Sequence, residues 1–105
     1  MATESDLLRW LQEWYLRQCD GDWEHSSGIE IGTLDNPGWF IRINLADTEL
    51  EDQPFAEITR DVTEDNWLRC RVRDGRFEGY GGPRNLENLI EEFRRWQRSN
   101  TGDNP

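Results

Sequence analysis

The sequence predicts an α+β domain: an antiparallel β-sheet of about five strands, flanked by N-terminal and C-terminal helices packed on one face. Three observations predict it. Amphipathic helical patterns occupy both ends of the chain, period-two alternation fills the middle, and glycine- or proline-bearing turns separate the alternating runs. A sheet with one apolar face needs cover on that face, and two apolar helix stripes supply it. With 105 residues, 34% of them hydrophobic and six of them Trp, the chain can bury one modest core. Residues 1–99 therefore read as a single domain, and 100–105, "NTGDNP", as a frayed tail.

The first helix is expected over 5–19, "SDLLRWLQEWYLRQC". Leu7, Leu8, Trp10, Leu11, Trp14, Tyr15 and Cys19 share one half of its wheel, with Arg9, Glu13 and Arg17 mostly opposite. Thr3 or Ser5 suits the N-cap, and Gly21 suits a left-handed C-terminal stop. A strand follows over 28–34, with Ile29, Ile31 and Thr33 on one face. "DNPGW" reads as a type II turn with Pro37 second and Gly38 third. The run 39–45 alternates Trp39, Ile41, Ile43 and Leu45 against Phe40, Arg42 and Asn44, so it pairs with the preceding strand as a hairpin.

Residues 46–54, "ADTELEDQP", hold four acids, no base and a terminal proline, and read as an exposed loop. Residues 55–62 supply a third strand of weaker pattern. The segment 66–80 is a second hairpin, with Leu68, Cys70 and Val72 alternating with Arg69, Arg71 and Arg73. Its Asp74-Gly75 pair fits a two-residue type I′ turn. The second helix is expected over 85–99, with Leu86, Leu89, Ile90, Phe93 and Trp96 in one stripe and Asn85 as N-cap.

Charge narrows the function. The net charge is −10 and every basic residue is Arg. Residues 1–66 hold 16 acids against 4 Arg, a net −12, while residues 67–105 hold 6 acids against 8 Arg, a net +2. Such a balance repels phosphate backbones and anionic lipid and favours basic partners. Direct nucleic-acid binding is not expected, nor is membrane insertion, since no apolar run approaches the ~20 residues of a spanning helix. "MATESDLLRW" lacks a basic segment followed by an apolar one, and the two Cys do not make a disulfide framework, so a cytoplasmic location is expected. Arg69, Arg71 and Arg73 form a basic stripe. Aromatic platforms look sparse beside it, and pairing with Glu57, Asp61 or Glu78 is the simpler expectation.

"CDGDWEH", residues 19–25, concentrates a thiol, three carboxylates, an indole and the single imidazole. Cys19 and His25 offer two zinc ligands where a structural site needs four. Asp20, Asp22 and Glu24 imitate the opening of a calcium loop without its glycine or its distant bidentate Glu. A thiol enzyme using Cys19 and His25 is the competing chemical class, but a cysteine at a helix C-terminus faces the negative end of the dipole. The structural reading is a corner: Gly21 closes the helix, Asp20 and Asp22 accept backbone N–H groups, and Trp23 packs beneath the sheet edge. An adaptor of unspecified partner is the remaining class. No metal or cofactor is expected.

The run 7–39 resembles the signature of the immunity protein 53 family of bacterial polymorphic toxin systems. The shared features are the W-x-x-x-W-Y helix, "CDGDWEH", the Gly-led strand with "TLDNPGW", and "L-x-D-x-x-F" near 50–55. The resemblance implies a small cytoplasmic inhibitor that binds a cognate toxin domain and performs no catalysis. Acidity then implies a basic nuclease as the toxin. The expected contact surfaces are the loop acids Asp47, Glu49, Glu51 and Asp52 and the corner Asp20, Asp22, Trp23 and Glu24, with Trp23 as anchor if it is exposed.

Overall fold

The computed structural model describes residues 4–26 and 28–101. The elements run α1 (Glu4–Gln18), a 3-10 turn (Trp23–His25), β1 (Ile29–Leu34), β2 (Gly38–Asn44), β3 (Ile58–Thr63), β4 (Asn66–Arg73), β5 (Arg76–Gly81) and α2 (Leu86–Thr101). This is the expected α+β layout, with all strand pairs antiparallel. The spatial order is β1-β2-β5-β4-β3, so the last four strands form a Greek key. Residues 45–57 must therefore cross from β2 to the far edge of the sheet. No helix among the described residues is long and apolar enough to cross a membrane.

Local chemistry explains much of this. The period-two pattern sends Ile41, Ile43, Leu68, Cys70 and Phe77 to one face, where each is buried. Leu89, Ile90, Phe93 and Trp96 of α2 cover that face, and Leu7, Leu11 and Trp14 of α1 complete the same cluster. Phe93 sits at its centre, against Trp10, Trp14 and Phe77 at ring separations of 5.8, 5.0 and 5.1 Å. Burying a side chain of that size contributes about 1.5–3 kcal/mol. Gly79 lies where Leu89 of α2 crosses β5, and a side chain there would press on both Leu89 and Ile41.

Several expectations need correction. The N-cap candidate Thr3 and the tail 102–105 lie outside the described residues, and Ser5 is already inside α1. The buried arc of α1 is narrower than its wheel suggests: Leu8 and Tyr15 are exposed, because α1 leans on α2 along one side only. Gly21 does adopt a left-handed φ of 98°, but the helix ends earlier, at Gln18. The Asn36–Pro37 peptide is cis and Gly38 is already the first residue of β2, so the turn is not type II. Gly38 is needed for close approach instead, since a side chain there would strike the Gly81 carbonyl.

The third strand begins at Ile58, three residues later than its pattern suggests, because Phe55 leaves the strand path to pack on Phe77 and Trp96. α2 continues to Thr101, two residues into the expected tail, and Asn100 Nδ2 donates to the Trp96 carbonyl. Asn85 occupies the N-cap position, but its Oδ1 accepts the Trp67 N–H and so anchors β4 to α2. The Asp74-Gly75 turn is as expected, with φ of 54° and 75°.

Candidate functional site

The corner is bonded to the end of β2, from which the acidic loop departs. Asn44, the last residue of β2, holds them together. Its carbonyl accepts Trp23 Nε1–H at 3.1 Å, its Nδ2 donates to Ser26 Oγ at 3.0 Å, and its Oδ1 accepts the Ala46 N–H at 3.1 Å. Sequence reading did not single out Asn44. Its only signal is an amide closing an otherwise apolar-alternating run.

Within the corner, carboxylates serve the backbone. Asp20 Oδ1 accepts the N–H groups of Asp22 and Trp23 at 2.9 and 3.0 Å. Glu24 reaches back to accept those of Asp20 and Gly21 at 3.0 and 2.8 Å. Accordingly the Asp20 carboxyl is held below its ordinary pKa, first by the Trp23 amide and then by that of Asp22. Glu24 is lowered by its own amide, against slight desolvation, with the amides of Asp20 and Gly21 and the charge of His25 adding to the effect. Trp23 is buried to 4% exposure, edge-on to Trp14 at 5.8 Å. It is a core residue, not an exposed anchor.

The loop divides in the same way. Glu49 is exposed as a residue, yet its carboxylate turns inward. Oε2 accepts Trp14 Nε1–H at 2.7 Å and Gln97 Nε2–H at 3.1 Å, and Oε1 accepts Gln18 Nε2–H at 3.3 Å. Partial burial raises its pKa, but the bonds from Gln97, Trp14, its own amide and Gln18 outweigh that and leave it lowered. Leu50 beside it is wholly buried. Asp47 and Asp52 take left-handed φ of 65° and 66°, which Asp tolerates, and both are exposed. Glu51 is exposed and accepts the Asp47 N–H at 3.3 Å.

Of the eight candidates, then, Asp20, Trp23, Glu24 and Glu49 build the site, while Asp22, Asp47, Glu51 and Asp52 face solvent. Cys19 Sγ–H donates to the Tyr15 carbonyl at 3.3 Å, and His25 is exposed. Among the described residues, no group of three or more His, Cys, Asp or Glu side chains converges in a way that would hold a metal.

The Arg stripe pairs largely as expected. Arg71 meets Glu78 at 2.8 Å and Arg69 meets Asp61 at 3.6 Å, whereas Arg73 turns to its neighbour Asp74 at 3.8 Å. The aromatic scarcity read from the sequence is wrong. Trp67, Tyr80 and Phe40 share the uncovered sheet face with these arginines, Tyr80 directly opposite Arg69. Phe40 and Tyr80 come from β2 and β5, so sequence proximity hid them, whereas Trp67 lies two residues before Arg69 on β4 itself.

A family model described as Immunity protein 53 matches residues 8–98. No curated protein and no solved structure matches the chain.

Proposed function

The chain belongs to the immunity protein 53 family, and from that premise we propose that it binds and neutralises a cognate bacterial polymorphic toxin domain, a nuclease with a basic cleft, through its acidic surface. The observation that carries the surface assignment is the joining of corner and loop by Asn44. Asp22 of the corner and Asp47, Glu51 and Asp52 of the loop are all exposed. Carboxylates so presented act as a substitute for substrate phosphates, raise the rate of encounter with a basic cleft and disfavour acidic partners. The reading places the chain in the cytoplasm of the producing cell and assigns it no catalytic step.

The test is calorimetric titration of the toxin domain encoded by the adjacent gene, with its nuclease activity assayed in parallel. Tight one-to-one binding that abolishes nucleic-acid cleavage is expected. Asp47→Asn with Asp52→Asn removes two charges without straining the left-handed backbone, which Asn also tolerates. The double variant should associate more slowly and with a shallower salt dependence. A toxin that binds but cleaves no nucleic acid would remove the nuclease assignment. Unchanged association kinetics would remove the loop from the interface.

A further inference from the structure

The two edges of the sheet are built differently. At the β3 edge the register shifts between Asp61 and Thr63, and the half-exposed Arg60 lies across to the helix side, donating to the buried Glu92 at 2.9 Å. Irregular register and inward-pointing charge are devices that keep a sheet edge from pairing with another strand. β1 has neither. Its register with β2 is unbroken from Ile29 to Leu34.

The free valences of β1 can be assigned. Asn44 N–H donates to the Gly28 carbonyl at 2.9 Å, which makes that pair a hydrogen-bonded one. Hydrogen-bonded and non-bonded pairs alternate along an antiparallel ladder. Glu30, Gly32 and Leu34 therefore bond to β2, and the N–H and C=O groups of Ile29, Ile31 and Thr33 point away from the sheet. Ile31 adds a half-exposed apolar side chain on the helix side of this edge, at 42% exposure. On the opposite side the Phe40 ring stands where a side chain at Gly32 would project.

Charge selects the occupant. Glu30 on β1 and Asp35 just beyond it are acidic, and Arg42 of β2, opposite Glu30, meets it only loosely, at 3.8 Å with both side chains exposed. We propose that β1 is a docking strand, along which an extended, basic segment of the toxin adds to the sheet. This rests on the toxin-binding reading above and deepens it. Main-chain bonds to Ile29, Ile31 and Thr33 supply affinity, an apolar side chain covers Ile31, and a basic one competes with Arg42 for Glu30. A second copy of this chain is the poorer occupant, because two acidic edges would meet between molecules of net charge −10.

The experiment uses the full chain and the catalytically silenced toxin domain encoded by the adjacent gene. Thr33→Pro removes an N–H that the fold does not use, and proline is tolerated on an edge strand in that orientation. Its affinity should fall about fivefold, the loss of one main-chain hydrogen bond. Ile31→Lys keeps the backbone intact but sets a cation against the basic segment, and should weaken binding about tenfold. Val62→Lys on the other edge should bind as the parent does.

Hydrogen exchange on the unmodified complex is the readout that no folding defect can disturb. The amides of Ile29, Ile31 and Thr33 should gain protection. Tight binding with those amides unprotected, or protection of β3 instead, overturns the docking strand and leaves the immunity reading standing. Protection of β1 that rises with concentration in the absence of toxin assigns the edge to a second copy and overturns it as well. Absence of binding by the parent overturns both readings.

Discussion

The indole N–H of Trp14 donates to Glu49 Oε2 at 2.7 Å, joining residues 35 apart and tying the acidic loop to α1. Trp14 is fully buried. The same carboxylate takes Gln97 Nε2–H from α2, so one side chain clasps both helices to the crossing segment. The indole N–H of Trp23, Trp39 and Trp96 likewise donates to the carbonyls of Asn44, Pro83 and Pro54. Tryptophan suits this use because its body fills the core while its one donor reaches a carbonyl at a strand end or in a connecting segment.

Glu49→Ala leaves the Trp14 donor buried without its acceptor, and should destabilise the fold by about 1–3 kcal/mol. Glu49→Gln keeps an acceptor and should recover most of the loss. Urea midpoints measure both, and an unchanged midpoint for the alanine variant would contradict the clasp.

Acid should weaken this fold through identifiable groups. Asp20, Glu24 and Glu49 all have pKa values below their ordinary ones. The folded chain thus binds fewer protons than the unfolded chain. Their contribution is fully present above the ordinary values of 3.8 and 4.5 and is lost as pH falls through the lower folded ones. A melting series from neutrality downward should show a falling acid limb, and Glu49→Gln should make it shallower. An identical limb in that variant would exclude Glu49 from it.

The two thiols should differ in reactivity. Burial, with the nearby Glu92 charge, pushes Cys70 up to about 12 against the opposing pull of Arg60, and its side chain is nearly inaccessible. Cys19 is only half-buried. A disulfide reagent should titrate Cys19 in the native protein and Cys70 only in denaturant. Cys70 labelling at native rates comparable to Cys19 would contradict the core described here.

Trp23 should behave as a core residue. Trp23→Ala should cost about 3–5 kcal/mol, and Trp23→Phe less, because a ring still fills the space beside Trp14 although the Asn44 carbonyl loses its indole donor. The Phe variant should retain parental affinity for the toxin domain. A large loss of affinity at parental stability would return Trp23 to the interface.

What the sequence determined was local. Helical periodicity placed Leu89, Ile90, Phe93 and Trp96 on the buried side of α2, and strand alternation placed Ile41, Ile43, Leu68 and Cys70 beneath them. Asp74-Gly75 carried its own turn, since two successive left-handed φ values are a property of those two residues.

What only the tertiary structure decided was the direction of each polar side chain and the partner it meets. Pattern alone treats Glu49 and Glu51 alike, yet one clasps two helices and the other faces water. Asn85 stands at an N-cap and bonds to β4, and Arg69 acquired Tyr80 of β5 as a cross-strand neighbour. The Greek-key crossing that drives residues 45–57 over the sheet fixes these outcomes. A charged or amide side chain takes whatever desolvated donor or acceptor the long-range path brings within about 3 Å, and composition and period carry no record of that path.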